Sequence, residues 1–182
     1  MPTIFSHAAV PLATGLALGA HIIPRRLLLA GVAASMLPDA DTLGILFGVP
    51  YGSPFGHRGF THSICFALLL GVLAAWSARR LQVPRWRAGA FVFISALSHP
   101  LLDMCTDGGH GVALFWPVSD ERFFLPWQVI AVSPIGVKRV FTERFAHVLS
   151  SELVWVWLPA IVLGLSIYLL RRALQSRAAH RV

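Results

Sequence analysis

The chain has 182 residues, 56% of them hydrophobic and only 13% charged, a balance that excludes an ordinary soluble globular domain and makes the bilayer its solvent. Its net charge of +7 does not point to nucleic acid, because the basic residues cluster at the ends of apolar runs, as membrane topology requires. Cys65 and Cys105 form neither a Cys-x-x-Cys pair nor a disulfide framework.

The pattern predicts one membrane-embedded domain over residues 1–182, an all-α polytopic bundle of about four to five membrane segments with an outward-facing loop region. Apolar runs at 8–23 and 27–37 read as a helical hairpin turning at Pro24-Arg25-Arg26, the second run being too short to cross alone. Runs at 60–78, 88–104 and 153–170 each qualify as spans by length and apolar content. No cleavable leader is expected, since the first charged side chain, Arg25, follows the first apolar run. Between the last two spans, FWPVSDERFFLPW carries Phe115, Trp116, Phe123, Phe124 and Trp127, rings suited to the headgroup layer. The final RRALQSRAAHRV reads as a frayed cytoplasmic tail.

With the turns at 24–26 and 79–87 and the tail after 170 on one face, that face holds Arg25, Arg26, Arg79, Arg80, Arg85, Arg87, Arg171, Arg172, Arg177 and Arg181. The other holds Arg58, Arg122, Lys138, Arg139 and Arg144, so the first face is expected to be cytoplasmic. His7, Asp39, Asp41, His57, His62, His99 and Asp103 then all fall at the outward, periplasmic end. Imidazole nitrogen and carboxylate oxygen from several segments at one level are a ligand set suited to a divalent ion, zinc above all. His99 and Asp103 stand four apart on one helix face, where ionisable groups are expensive and mark a site or, at the least, a structural hydrogen bond.

The other polar residues of this face divide between chemistry and architecture. Asp39-x-Asp41 follows Pro38 and suits a cap or Asx turn as well as ligation, and Thr61 or Ser63 suits a helix cap. Arg58 reads as a phosphate clamp or a snorkelling side chain. In the TDGGHG loop His110 is a ligand or a solvated residue, and Asp107 a base or a turn residue. Asp39 is the other candidate base. Glu143 and His147 suit a surface ion pair, while His21 and His180 fall on the arginine face, away from the site. Ser63 and Ser98 adjoin histidines but lie in no Gly-x-Ser-x-Gly elbow, so a serine triad is not expected, and no phosphate-binding Gly-x-x-x-x-Gly-Lys-Ser/Thr loop is present.

Ser6-His7, Pro38-Asp39-Ala40-Asp41, HRGFTHS at 57–63, Ser98-His99 with Asp103, and FWPVSDERFFLPWQVIAVSPIG at 115–136 together resemble the YdjM family of inner-membrane proteins. The resemblance implies a helical membrane fold and metal-dependent hydrolysis. More remotely, the order Asp41, His57, His99, Asp103, His110 looks like the multi-zinc site of bacterial phospholipase C and the P1-type nucleases. That site's C-terminal His-x-x-x-Glu/Asp pair has no counterpart, Glu143 and His147 being in reversed order, so one or two ions are expected rather than three. The expected activity is hydrolysis of a phospholipid or another lipid-linked phosphoester. The alternative is a non-catalytic membrane adaptor with a structural metal, its basic turns meeting a cytoplasmic protein partner.

Overall fold

Proline and glycine set the helix boundaries. The computed structural model describes residues 1–133 and 143–179. A 3-10 turn, Ser6–Ala8, leads into α1 (Ala9–Leu18), which stops at Gly19, whose φ of 76° glycine alone adopts at no cost. α2 (Arg25–Met36) begins directly after Pro24. It does not end at Pro38, because proline in the first turn of the following 3-10 segment, Leu37–Asp41, forfeits no hydrogen bond. α3 (Thr42–Leu46) carries the rod on.

Residues Arg25–Leu46 therefore form a 22-residue apolar helical stretch long enough to cross a membrane, where the sequence suggested a segment too short to do so. Ser63 caps α4 (Ile64–Trp76), accepting the Phe66 amide at 3.1 Å. A short α5 (Ala78–Leu81) leads to Pro84 and α6 (Arg85–Met104). α7 (Glu143–Glu152) runs through a π-type turn, Leu153–Trp157, into α8 (Leu158–Ala179).

Among the described residues the fold is all helical, with isolated bridges pairing Thr106 with Ile130 and Val112 with Phe123. Two stretches, Arg25–Leu46 and Arg144–Arg177, are long and apolar enough to span. The run at 60–78 is cut back to α4 by the 3-10 turn Phe60–His62 and the break at Ser77. Its 13 helical residues reach roughly 20 Å, against about 30 Å of hydrocarbon. α6 has 20 residues, but Arg85, Arg87 and Asp103 occupy its ends.

α6 lies between α2 and α4, joined through Leu27, Ala34, Ala67, Ala74, Ala88, Phe91, Val92 and Ala96. Small residues let these helices approach, as in membrane bundles generally. A Cβ on Gly71 would lie 3.1 Å from the Gly89 carbonyl, and one on Gly31 would overlap Phe91 at 2.3 Å. α1 packs on α8, where Gly164 meets the Ala13 backbone. Leu68, Val72 and Leu73 on α4, and Ile161, Val162 and Leu169 on α8, face outward and suit lipid.

The two ends of the bundle differ sharply. At one, arginines close helix ends: Arg26 donates to the Arg80 carbonyl at 3.2 Å, Arg87 to Ile22 at 3.4 Å and Arg171 to Ala17 at 2.7 Å. At the other, the start of α1 and α4 meets the end of α2 and α6, bringing the histidines and aspartates together.

Candidate metal centre

The centre is built from four short pieces of chain: His7 from the first 3-10 turn, Asp39 and Asp41 from the second, His57 and His62 from the approach to α4, and His99 with Asp103 from one face of α6. All seven side chains are buried. Seven polar side chains out of water are stable only if their lone pairs and protons find partners.

Asp41 supplies several of those partners. Its Oδ1 lies 2.7 Å from His57 Nδ1, and its Oδ2 accepts the Thr61 hydroxyl at 2.6 Å and lies 3.2 Å from His62 Nδ1. His99 Nδ1 faces the Ser35 carbonyl at 2.7 Å. Carbonyl and carboxylate oxygens only accept here, so each Nδ1 carries the proton and each Nε2 keeps its lone pair. Burial holds His57 below the ordinary histidine pKa against the opposing pull of Asp41, favouring its neutral, ligating form.

These lone pairs converge. Nε2 of His62 and Nε2 of His99 stand 3.0 Å apart, each the ring nitrogen turned away from its Nδ1 partner and into the cluster. Asp39 Oδ1 lies 3.5 Å from His99 Nε2 and 3.9 Å from His62 Nε2, while Asp103 Oδ2 lies 3.5 Å from His62 Nε2. His7 stacks on His99 with ring centroids 3.6 Å apart, its Nε2 lying 3.8 Å from Asp39 and 3.6 Å from Asp103. Both oxygens of Asp39, both nitrogens of His7, His57 Nε2 and Asp103 Oδ1 are buried without a hydrogen-bond partner.

That arrangement is unfavourable on its own, yet it suits a divalent cation. Ligands at zinc distances of about 2.0–2.2 Å stand roughly 3–3.5 Å from one another, close to the spacings here. Two overlapping groups can each hold an ion, Asp39–His57–His62–Asp103 and His7–His99–Asp103, with Asp103 common to both. The structure thus brings together His7, Asp39, Asp41, His57, His62, His99 and Asp103, with Asp41 orienting two imidazoles rather than joining either group.

Arg58 adjoins the centre in another role, and Asp107 and His110 stand away from it. Arg58 is fully buried with φ 64°, a left-handed backbone that turns its side chain inward. Its Nε donates to Asp103 Oδ2 at 3.0 Å, Nη2 to Thr106 Oγ1 at 2.8 Å and Nη1 to the Gly108 carbonyl at 3.0 Å. The guanidinium therefore fixes Asp103 and the loop after α6, in place of an open clamp. Asp107 is exposed and accepts the Val132 amide at 2.7 Å, the turn role. His110 is exposed too, edge-on to Tyr51 at 5.0 Å and outside both ligand groups.

His21 lies at the far end beside Arg171, at 3.3 Å, as the topology requires. His147 is exposed; the Glu143 side chain and His180 lie outside the described residues.

Sequence reasoning missed Glu152. Buried at the end of α7, it accepts the Thr3 amide, the Thr3 hydroxyl at 2.7 Å and the Ser6 hydroxyl at 2.7 Å, and so seats the turn that carries His7. Trp157 adds an indole N–H to Ser6 Oγ at 3.0 Å. The signal was a lone carboxylate beside an apolar run, SSELVWVW, where charge is costly. Thr61 was visible only as a cap, and nothing in the sequence marked Thr106.

A family model described as YdjM inner membrane protein matches residues 1–174. The chain belongs to the YdjM family. It is 53% identical to the inner membrane protein YbcI of Escherichia coli (strain K12) over 164 residues, 90% of this chain and 95% of that protein. It is 36% identical to the inner membrane proteins YdjM of Escherichia coli (strain K12) and of Shigella flexneri, over 76% of this chain and 67% of theirs. No solved structure matches. Membership and apolar helices together make this a membrane protein of the inner-membrane YdjM kind.

Proposed function

We propose that the chain is a membrane-bound metal-dependent hydrolase acting on a phosphoester, with a phospholipid or lipid-linked phosphate as substrate. One observation carries the reading: imidazole nitrogens, oriented from behind by Asp41 and Ser35, converge with the two unpartnered oxygens of Asp39 in a buried cluster. When bound, one or two divalent ions, zinc by donor type, supply Lewis-acid chemistry, polarising a phosphoryl oxygen and acidifying water.

The chain's own residues have separable tasks. His7, His57, His62 and His99 offer neutral nitrogens, and Asp103 an oxygen to each ligand group. Asp39 presents two oxygens, so one can ligate while the other accepts a proton. Arg58 and Asp41 hold Asp103, His57 and His62 in place. In the same reading α1, α4 and α6 complete a bundle of four to five membrane segments with α2–α3 and α7–α8. The arginine end is cytoplasmic, and the metal centre sits at the outer headgroup level.

A structural-metal reading has its own support, since every ligand is buried and a closed shell is the mark of a structural ion. Elemental analysis of the purified full chain, followed by phosphate or headgroup release from lipid phosphoesters with and without chelator, separates the two. Hydrolysis that is chelator-sensitive and lost with metal in His99→Ala is the expected result. Turnover that survives without metal would sink the proposal; stoichiometric metal with no turnover on any lipid phosphoester favours the structural role.

A further inference from the structure

All eight carboxylates of the chain, from Asp39 to Glu152, lie in sequence outside the turns at 24–26 and 79–87 and the tail after 170, so the arginine end carries positive charge with no acidic side chain to offset it. There, a recess of about 740 Å³ opens between the end of α4 and the start of α6, lined by Trp76, Ser77, Arg79, Arg80, Val83 and Arg85 among others. Arg79, Arg80 and Arg85 are all exposed and together line this one recess.

Arg85 also lines a second depression of about 460 Å³, running along the α4–α6 seam over Gly71, Val72, Ala75, Gly89, Ala90 and Phe93. This groove exists because Gly71 and Gly89 have no side chains and the two backbones nearly touch. Apart from Arg85 and the Trp86 indole N–H its walls carry no polar side chain, and from Leu68 to Ala75 it extends roughly 10 Å along α4. Trp76 and Trp86, both largely exposed, stand at its mouth, where amphipathic rings mark the headgroup level.

A basic recess continuous with an apolar groove has the polarity of one molecule. We propose that this end binds an anionic phospholipid, its phosphate among Arg79, Arg80 and Arg85 and an acyl chain along the α4–α6 groove. The site is distinct from the metal centre: Arg85 and Asp103 occupy opposite ends of α6, about 27 Å apart along its axis. It does not depend on hydrolysis. A zwitterionic lipid brings an ammonium group that the same arginines repel, and a headgroup alone leaves the groove unfilled.

Native mass spectrometry of the full chain, released from detergent and titrated with dioleoyl phosphatidylglycerol, dioleoyl phosphatidylcholine or glycerol 3-phosphate, tests this. Phosphatidylglycerol should bind as a single adduct at least about tenfold tighter than phosphatidylcholine, from the contribution of several guanidinia near one phosphate. Glycerol 3-phosphate should bind at least as much more weakly. Combined Arg79→Gln, Arg80→Gln and Arg85→Gln should erase the preference. Ala90→Trp, filling the groove from its open side and leaving the arginines alone, should weaken phosphatidylglycerol without changing metal content.

Equal binding of the two lipids, or a preference that survives the triple substitution, would overturn the proposal. So would binding of glycerol 3-phosphate as tight as that of the lipid, or binding indifferent to Ala90→Trp. Should the triple variant fail to fold, Arg85→Gln alone and Ala90→Trp decide the matter.

Discussion

The two ends of this bundle solve opposite electrostatic problems with opposite means. At the arginine end long side chains reach out of the apolar body and satisfy helix carbonyls, Arg26 on Arg80 and Arg171 on Ala17, with water close by. At the other end short side chains are turned inward and sealed, and Asp39 and His7 are left without any protein partner. Exposed charge at a membrane surface sets orientation and attracts lipid, whereas buried unpaired donors and acceptors persist only when something outside the protein completes them. A single chain separates these roles along the axis of α6.

The contrast is broken most severely at Asp103, the carboxylate common to both ligand groups. Asp103→Asn should lower metal affinity by at least about 100-fold, the upper range for orienting partners alone. Equilibrium dialysis against zinc reads this, and the triple arginine variant should leave the same measurement unmoved. Asp41→Asn comes next: one of His57 and His62 then faces an amide NH2 in place of the oxygen that fixes its Nδ1 proton, with an expected loss of about 10–100-fold in affinity.

How much of this was legible beforehand depends on what each residue relies on. The i, i+4 pair His99–Asp103 and the grouping of seven histidines and aspartates at one end follow from helix period and topology, both written in the sequence. Arg58, by contrast, depends on a positive φ at one residue, which carries no compositional mark and turns a guanidinium expected to face substrate onto Asp103. That bond ties down the loop after α6, and Asp107 and His110 then face away although they follow Asp103 closely in sequence. Pro38 misled in another way: it looks like a break, but in the first turn it lets α2 run on into α3. Nothing in the sequence marks Gly71 and Gly89, and only their contact reveals the groove.

Smaller effects sharpen the same contrast. Glu152→Ala removes the acceptor for the Thr3 and Ser6 hydroxyl protons and should destabilise the protein by about 1–3 kcal/mol, measured by chemical denaturation in detergent. Because folding favours the neutral form of His57, its contribution is complete above the ordinary histidine pKa of about 6.5 and is lost as the pH falls below it. Zinc-loaded protein should therefore release its ion as the pH falls from about 8 to about 5 and the imidazoles take up protons, read as metal retained after dialysis. His110→Ala, outside both groups, should change zinc binding by less than about twofold, within the range of surface substitutions.

Glu152 also imposes an order on biosynthesis. The turn bearing His7 leaves the ribosome among the first residues of the chain, yet the carboxylate that seats it is made some 145 residues later, at the threshold of the last helix. Until that helix is inserted, five of the six proposed ligands can gather while the sixth has no anchor. Removing the α7–α8 stretch would therefore strip the His7 turn of its seat even with every other candidate ligand in place.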